Sequence, residues 1–390
     1  MIVGVPRESF PGERRVAMVP AVIPSLTKAG LEVVVEAGAG KEAGYLDTEY
    51  AAKGGKILPT RADVFAAADI VVQVLCYGSN DQTGKADVPL YRPNQVLIGF
   101  LRPLGSLETI QEIASKRVTA FSIELMPRTT RAQSMDALSS MATISGYKAV
   151  LIAADTLPKL FPMLTTAAGT ITPARVFIIG CGVAGLQAIA TARRLGAVVS
   201  AYDLRPAVKE QVQSLGGRFV EIAVEAKDAQ DARGYATAQG EEFYKKQREL
   251  LGKVVAESDV VVTAAVIPGK KSPILVTKEM VDGMAPGSVV VDLAAERGGN
   301  CELTRAGEKI EEHGVTIIGS INLASTVPYH ASQMYAKNVA TFLLYMMKEA
   351  KLQINPQDEI VRETLLTQGG EIVSVRLREI YKLPALAAKS

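Results

Sequence analysis

The chain has 390 residues, of which 48% are hydrophobic and 22% are charged, and its formal net charge is +2. This length predicts two domains, and the composition excludes a largely disordered chain. A net charge so close to zero gives no indication of a nucleic-acid partner.

The three cysteines, Cys76, Cys181 and Cys301, are widely spaced, and the chain has only two histidines. We therefore expect buried thiols in a reducing compartment and no metal site. The N-terminus begins with a strand pattern rather than a secretory signal, and no apolar run approaches the ~18 residues of a membrane-spanning helix. We expect the chain itself to be soluble, with attachment to a membrane through a partner left open.

Residues 1 to about 135 alternate strand and helix patterns, which is typical of a parallel α/β domain. The predicted strands are residues 2–5, 31–36, 69–75, 95–101 and 118–123, and the predicted helices are residues 22–29 and 107–116. A charged loop after the first strand contains Arg15. This loop either borders a binding crevice at the carboxyl ends of the strands or is a solvated turn.

A polar segment, residues 124–140, leads from this domain into a predicted helix. Asp136, Ser139 and Ser140 are spaced i, i+3 and i+4, which places them on one face of that helix. A plain helix cap needs only one such residue. The pattern therefore favours a functional loop over a simple cap.

The strongest motif follows the strand pattern of residues 176–179 and reads Gly180-x-Gly182-x-x-Gly185, ahead of a helical pattern. Gly180 allows a tight turn, Gly182 leaves room for a pyrophosphate, and Gly185 lets the helix pack closely on the sheet. The alternative is a turn that merely needs glycines. Because a strand precedes the motif and a helix follows it, we interpret it as a dinucleotide-binding fingerprint.

The next predicted strand, residues 198–202, ends at Asp203, which lies 18 residues after Gly185. A carboxylate at this position can accept hydrogen bonds from an adenosine ribose and repels a 2′-phosphate, which favours NAD(H). Arg205 could accommodate a 2′-phosphate, so NADP(H) is the alternative.

Residues 145–325 carry the complete pattern of a second α/β domain. Its remaining predicted strands are residues 218–222, 259–266, 288–293 and 315–320, which gives the doubly wound order 3-2-1-4-5-6. Ala264, Ala265 and Val266, at the end of the fourth strand, are small enough for a cofactor to approach the backbone. A long helix over residues 329–352 is expected to return the chain to the first domain.

The predicted fold class is thus α/β, with two doubly wound parallel-sheet domains separated by a cleft. Residues 1–135 with 330–390 form one domain, and residues 145–325 form the other. The polar segment of residues 224–242 is too long for an ordinary connection and carries Gly234 and Tyr235 at its centre. It is either a mobile flap, with Tyr235 covering a bound ring, or a surface excursion.

No convincing acid/base apparatus is present in the sequence, which contains no G-x-S-x-G motif and no P-loop. His313 is expected in a surface turn, and His330 at the start of the long helix. Oxidation of an alcohol or an amino acid needs a general base. Hydride exchange between two nicotinamide rings needs only that the rings are held close together with water excluded.

Several motifs together closely resemble one family over nearly the whole chain. They are Pro6-Arg7-Glu8, Glu13-Arg14-Arg15-Val16-Ala17, Met126-Pro127-Arg128, Arg131-Ala-Gln133-Ser134-Met-Asp136 and Gly180-Cys-Gly-Val-Ala-Gly-Leu-Gln-Ala-Ile-Ala-Thr-Ala. The family is that of the NAD(H)-binding alpha subunits of proton-translocating NAD(P) transhydrogenase. The related alanine dehydrogenases share this two-domain fold.

Comparison with the alanine dehydrogenases implies a loss of amino-acid chemistry. The chain resembles them at Arg15, which would hold a substrate carboxylate. They carry a lysine in the strand that contains Gln73 here, a histidine where Arg102 stands, and an aspartate where Glu296 stands. Three of these four substrate positions therefore differ, including the general base.

The resemblance also implies which residues bind the cofactor. The expected contacts with the dinucleotide are Gly180, Cys181, Gly182, Val183, Asp203, Leu204, Arg205, Ala264 and Val266, and those that place the nicotinamide end are Arg128, Gln133, Asp136 and Ser139. Gln133, Asp136, Arg128 and Tyr235 are the expected catalytic group. Gln133 would organise the ring that faces the NADP(H) of a partner, and Gly234 and Tyr235 would lie on a flap that closes over the site.

The activity implied is that of a Re/Si-specific, proton-translocating transhydrogenase, in which hydride passes directly from NADH here to NADP⁺ on a partner subunit. The implied partners are membrane-embedded subunits, the NADP(H)-binding subunit and a second copy of this chain. We expect a cytoplasmic subunit that is peripheral on the inner face of the cell membrane, in the separate-subunit form, because the sequence ends at Ser390. The alternatives are an alanine dehydrogenase-like enzyme acting alone and a non-catalytic NAD(H)-binding regulator.

Overall fold

The computed structural model describes residues 1–221, 241–267 and 269–384. The chain divides into two compact units. Unit 1 comprises Met1–Met141 and Ser325–Ser390, and unit 2 comprises Ala142–Ala324.

The strands of the described residues are β1 (Ile2–Val5), β2 (Glu32–Glu36), β3 (Lys56–Leu58), β4 (Ile70–Leu75), β5 (Val96–Phe100), β6 (Thr119–Ser122), β7 (Leu164–Thr166), β8 (Gly169–Ile171), β9 (Arg175–Ile179), β10 (Val198–Tyr202), β11 (Arg218–Phe219), β12 (Val260–Thr263), β13 (Val289–Asp292), β14 (Lys309–Glu312), β15 (Val315–Gly319), β16 (Met347–Lys348), β17 (Lys351–Leu352), β18 (Leu365–Gln368) and β19 (Glu371–Ile372). The α-helices are α1 (Ile23–Lys28), α2 (Asp47–Ala52), α3 (Arg61–Ala67), α4 (Leu107–Ser115), α5 (Ala137–Thr156), α6 (Val183–Arg194), α7 (Lys209–Ser214), α8 (Glu241–Ala256), α9 (Lys278–Asp282), α10 (Pro328–Met346), α11 (Glu359–Thr364) and α12 (Val375–Ile380).

Unit 1 is built on one sheet, in which β3, β2, β1, β4, β5 and β6 run parallel in that order. Antiparallel β18 and β19 extend the sheet beyond β6. Every residue of β5 is buried, as expected of a strand covered on both faces. The direction of winding reverses between β1 and β4, which makes this a doubly wound sheet.

Unit 2 has a second sheet, in the order β11, β10, β9, β12, β13, β15 and β14. Its central strand, β9, alternates between two apolar clusters. Val176 and Ile178 lie in one cluster, and Phe177 and Ile179 lie in the other. Because both faces of β9 are buried, its sequence is a continuous apolar run.

The α/β class is confirmed, but the strand order predicted for unit 2 omits β14. This strand pairs antiparallel with β15 at the edge of the sheet, and the connection from β13 to β15 contains it instead of an α-helix. Its sequence, Lys309-Ile-Glu-Glu312, has too few apolar residues to be recognised as a strand. Such charged sequences are common on edge strands, which must avoid pairing with other chains.

The long helix predicted over residues 329–352 ends early. The helix α10 stops at Met346, and β16 and β17 follow as a short hairpin. Glu349 and Ala350 form its turn with φ angles of +49° and +58°, the left-handed conformation of tight hairpin turns. Neither residue is the glycine or asparagine that usually marks such a turn, so the hairpin could not be recognised from the sequence.

Helix α5 is 20 residues long with a mean hydropathy of 1.3, which by length and composition is sufficient to cross a membrane. Polar residues such as Lys148 and Asp155 interrupt this helix, so it does not contain the apolar run that was sought in the sequence. In the fold, Ala149, Val150 and Ala153 of α5 are fully buried in the apolar core of unit 2. The three cysteines are free and buried, as predicted.

Candidate functional site

The turn between β9 and α6 shows what each fingerprint glycine does. Gly180 has a φ of +93°, which glycine adopts readily. A Cβ atom at Gly185 would lie 1.9 Å from the carbonyl oxygen of Gly180, so only glycine permits this close packing. A Cβ atom at Gly182 would meet no described atom within 4 Å, and its φ of −75° suits any residue. Gly182 therefore faces open space at this turn.

The open space at Gly182 lies at the N-terminus of α6. Gly182 is the N-cap residue of this 12-residue helix and provides no side-chain cap. The first N–H groups of a helix have no partners within the helix and carry a partial positive charge, so they attract anions. Val183 follows with a side chain that is 39% exposed. This arrangement fits the pyrophosphate of a dinucleotide.

The carboxylate of Asp203 lies against the same turn. It accepts hydrogen bonds from the Cys181 amide at 2.7 Å and from Nε and Nη2 of Arg205, both at 2.8 Å. The Arg205 amide adds a fourth bond at 2.9 Å, across the half-buried Leu204. These four donors fill the acceptor positions of the carboxylate. A ribose would therefore compete with the Arg205 guanidinium for Asp203.

The end of β12 forms a second wall beside the glycine turn. The Ala264 amide donates to the carbonyl oxygen of Ile179 at 2.8 Å. A Cβ atom at Gly180 would lie 2.8 Å from the backbone of both Ala264 and Ala265, so the turn and this strand end are in direct contact. The Val266 side chain is 41% exposed. The predicted residues Gly180, Ala264 and Val266 are thus brought together.

A buried polar network, to which sequence analysis assigned no role, supports this wall. Asn300 is fully buried, and its carboxamide makes hydrogen bonds with both backbone groups of Ala265. Asp292, also fully buried, accepts from the amides of Asn300 and Cys301 at 2.7 and 2.9 Å. The sequence contained one indication of this network, because Asp292 stands at the end of an apolar strand, much as Asp203 follows one.

The predicted nicotinamide loop belongs to unit 1 and is fixed through its backbone. Residues Thr130–Met135 form a 3-10 helix with Met135 buried. The carbonyl oxygen of Ser134 accepts from Nδ2 of Asn338 at 2.8 Å. The Gln133 side chain is exposed and has no hydrogen-bond partner within the part of the chain that the structure describes. A turn held by Asn338 therefore presents a carboxamide that is available to a ligand.

Asp136 and Ser139 are partners at the start of α5. The Asp136 carboxylate accepts from the Ser139 amide at 2.9 Å and from its hydroxyl at 2.5 Å. Both residues are half-buried, and Arg128, before them, is exposed. The structure thus contains the helix cap that was the simpler interpretation of this segment. The assignment of these residues to a cofactor site stays a prediction.

Arg15 lies in a buried ion pair, so the solvated-turn alternative is wrong for this residue. Its Nε and Nη2 atoms donate to Glu13 at 2.7 and 2.5 Å, and Arg15 is 4% exposed. Glu8 accepts from the amides of Val74 and Leu75. Burial and then the negative charge of Glu13 raise the pKa of Glu8 to about 8. This region of unit 1 holds charge in its interior.

The residues at the alanine dehydrogenase substrate positions form no acid/base pair in the described chain. Gln73 is buried and donates to Asp87 at 3.0 Å, while Arg102 is exposed. Glu296 accepts from the Asn322 amide at 2.7 Å.

The two histidines, His313 and His330, are both exposed. Ligand atoms of Asp282, Glu312 and His313 lie within 4.8 Å of one another, but Nζ of Lys278 contacts Glu312 at 2.6 Å. One of the three candidate ligands, Glu312, is therefore paired with the ammonium group of Lys278. Gly234 and Tyr235 lie outside the described residues.

Comparison with known proteins supports these observations. The family described as alanine dehydrogenase/PNT matches with its N-terminal domain over residues 4–145 and its C-terminal domain over residues 149–375. The chain is 46% identical to an NAD(P) transhydrogenase alpha subunit of Rhodospirillum rubrum over 376 residues, which cover 96% of this chain and 98% of that relative. It is 40% identical to NAD(P) transhydrogenase subunit alpha of Haemophilus influenzae, with 100% of this chain and 75% of that relative covered.

Solved structures agree. A transhydrogenase structure from Sinorhizobium meliloti has 46% identity and a TM-score of 0.84, with 96% of this chain and 100% of the other covered. An L-alanine dehydrogenase structure with 24% identity and a TM-score of 0.80 covers 98% of this chain and shows the same fold. The chain therefore belongs to the family of NAD(P) transhydrogenase alpha subunits, whose two domains are shared with the alanine dehydrogenases.

Proposed function

We propose that this chain is the NAD(H)-binding subunit of a proton-translocating NAD(P) transhydrogenase. The observation that carries the proposal is the open space at Gly182, in front of an uncapped helix N-terminus. Gly180 and Gly185 are required by the packing of the protein itself, whereas Gly182 is not. Its lack of a side chain is explained by a ligand that approaches the backbone there, as a dinucleotide pyrophosphate does.

The preference for NAD(H) rests on Asp203. Its carboxylate lies at the end of the second strand, 2.7 Å from the Cys181 amide, where it would meet the adenosine ribose. A 2′-phosphate on that ribose would meet a carboxylate and be repelled. The guanidinium of Arg205 reduces this repulsion, so discrimination depends on the balance between the two side chains.

Hydride transfer itself demands little proton chemistry from the chain. NADH, which Gly182 and Asp203 would hold, would supply the hydride, with NADP⁺ on the partner subunit as the acceptor. The protein has to orient the ring and exclude water. The Gln133 carboxamide, on the fixed backbone of the 130–135 turn, is the group proposed to orient the ring. Arg128 and the capped pair Asp136 and Ser139 would hold the nicotinamide end beside it.

The names of the relatives support partner subunits, because they are alpha subunits of a larger enzyme. We propose that this chain docks on an NADP(H)-binding subunit and on membrane-embedded subunits that translocate protons. The subunit would then be cytoplasmic and peripheral on the inner face of the cell membrane. Transfer between the two nucleotides would be direct and Re/Si-specific.

A second copy of the chain is the further proposed partner. The hairpin of β7 and β8 in unit 2, together with Met163 just before it, exposes apolar side chains to solvent. Met163 is 64%, Leu164 43% and Ile171 45% exposed. Every residue of this strand pair is exposed, so the pair leaves apolar surface in contact with water. Covering it in a homodimer would remove that surface from water.

An alanine dehydrogenase acting alone is the second candidate, favoured by the buried guanidinium of Arg15. The groups available at the other substrate positions argue against it. Arg102 stands where that family has its histidine, and a guanidinium, which stays protonated in proteins, cannot take a proton from an amino acid. A neutral carboxamide, Gln73, stands where that family has a lysine.

The decisive experiment measures hydride transfer from NADH to a spectrally distinct NADP⁺ analogue. The purified chain is assayed alone, with an NADP(H)-binding transhydrogenase subunit, and with L-alanine or with pyruvate and ammonia. Transfer only in the presence of the partner subunit is the expected result. Turnover of alanine or pyruvate by the chain alone would replace the proposal with the dehydrogenase. NADH binding without either activity would indicate a regulator.

A further inference from the structure

The strand end that carries Ala264 and Val266 has an unusual anchor. Oδ1 of Asn300 accepts from the Ala265 amide at 3.0 Å, and Nδ2 donates to the Ala265 carbonyl oxygen at 2.8 Å. The second Nδ2 hydrogen reaches the carbonyl oxygen of Pro273, also at 2.8 Å. One carboxamide thus binds both polar groups of a single residue that lies 35 positions away.

Asn300 is itself held rigidly. Its amide donates to Asp292 at 2.7 Å, and its carbonyl oxygen accepts from the amides of Leu275 and Val276. Every polar group of Asn300 therefore has a partner, and the residue is fully buried. Hydrogen bonds in such a buried and saturated network fix geometry strongly, since any displacement leaves a buried group unpaired.

The anchored peptide is also the one that contacts the glycine turn. The Ala264 amide makes the last hydrogen bond between the end of β12 and β9. Within the described residues, the next residue, Ala265, has no hydrogen bonds other than the two with Asn300. Gly180 packs against this same peptide, with the position of its absent Cβ 2.8 Å from the Ala265 nitrogen. A shift of Ala265 would move Ala264 and Val266 and change the wall beside Gly180.

We propose that Asn300 is a positioning residue of the NAD(H) site, which acts by clamping the Ala265 peptide. This inference rests on the proposed function and extends it, since Asn300 would touch no reacting atom. It predicts an effect on NADH affinity and on KM, with little effect on kcat at saturating NADH.

The test compares Asn300→Leu and Asn300→Asp with a matched control, Thr304→Val. The leucine has a similar volume but no polar atoms. The aspartate keeps the acceptor for the Ala265 amide but turns an oxygen towards two carbonyl oxygens. Thr304 donates to Asp292 at 2.7 Å, so its replacement disturbs the same turn without touching the clamp.

We measure the dissociation constant for NADH by fluorescence, the thermal midpoint, and the KM and kcat of transfer to the partner subunit. Both Asn300 variants should raise the dissociation constant about tenfold, as expected for the loss of two or three buried hydrogen bonds, with kcat changed less than about threefold. Thr304→Val should lower the midpoint but leave the dissociation constant within about twofold of the wild type.

Asn300 variants that lose stability but bind NADH as tightly as the wild type would overturn the inference. An equal loss of affinity in Thr304→Val would do the same. If Asn300→Leu does not fold, Asn300→Asp gives the same comparison. Wild-type protein that neither binds NADH nor supports transfer would instead refute the proposed function, and the positioning role would fall with it.

Discussion

The substitution Gly182→Ala separates ligand binding from folding at the fingerprint. The φ of Gly182 is −75° and its Cβ position meets no described atom within 4 Å, so alanine fits without strain. Replacing glycine by alanine at such a site stabilises by about 0.4–1 kcal/mol through the unfolded chain. Alanine is a poorer N-cap residue than glycine by roughly the same amount. We therefore expect the free energy of unfolding to change by less than about 1 kcal/mol.

Binding should respond differently, because the new methyl group occupies the space in which the pyrophosphate meets the N-terminus of α6. Crowding of this kind typically costs about 1–3 kcal/mol, which corresponds to a rise of roughly 5- to 150-fold in the dissociation constant for NADH. Urea unfolding gives the free energy of unfolding, and titration of NADH fluorescence gives the dissociation constant for NADH. The diagnostic result is weak binding by a protein of normal stability.

The matched control is Gly185→Ala, three residues along the same motif. Its Cβ atom would lie 1.9 Å from the Gly180 carbonyl oxygen, so the backbone must move. We expect this variant to lose about 1–3 kcal/mol of stability, with binding weakened as a consequence. The reasoning is refuted if Gly182→Ala binds NADH normally, or if both variants lose stability equally, because Gly182 would then serve packing and not the ligand.

Three other predictions follow from the two units. Gln133→Ala should leave NADH affinity nearly unchanged and slow transfer to the partner by up to about 100-fold, because ring placement is lost; a proportional loss of both quantities would contradict its role. Asp203→Ala should weaken NADH binding about tenfold and reduce the preference for NADH over NADPH. Arg205→Ala should weaken the binding of NADPH more than that of NADH, and competitive titrations measure both effects. The pKa of Glu8 is about 8 in the folded chain and 4.5 in the unfolded chain, so the folded state holds the Glu8 proton more tightly. The free energy of unfolding is therefore highest below pH 4.5 and falls as the pH rises to 8. Glu8→Gln should remove this fall in the free energy of unfolding, which is at most about 5 kcal/mol. If urea titrations show that the free energy of unfolding of the wild type does not change between pH 4.5 and 8, the prediction is contradicted.

Much of the fold could be predicted because buried parallel strands are nearly continuous apolar runs. The strands β1, β4, β5 and β9 all have this character, and each was predicted to within one or two residues. The misplaced elements lack it. Strand β14 is charged because it lies at an edge. The hairpin of β16 and β17 has helix-forming residues, and only its left-handed turn separates it from α10.

The site was predictable to the extent that its residues stand at strand ends. In a parallel sheet the carboxyl ends of neighbouring strands meet, so Gly180, Asp203 and Ala264 had to lie close together once the strand order was known. What the side chains do to one another could not be predicted in this way. Glu8 stands among charged residues in the sequence, yet its carboxylate is buried and accepts hydrogen bonds from the amides of Val74 and Leu75.

The side-chain pairings matter because they determine how the predicted residues function. Asp203 was assigned to the ribose from its position alone, but in the fold its four acceptor positions are filled by the turn and by Arg205. A nucleotide therefore gains binding energy from Asp203 only to the extent that its hydrogen bonds with the carboxylate are stronger than those of the Arg205 guanidinium that it displaces. A ribose diol must displace a charged donor, whereas a 2′-phosphate could recruit that same donor. Nucleotide preference at this site is thus a competition between two adjacent side chains, and it can be altered at Arg205 without changing the residue that marks the site.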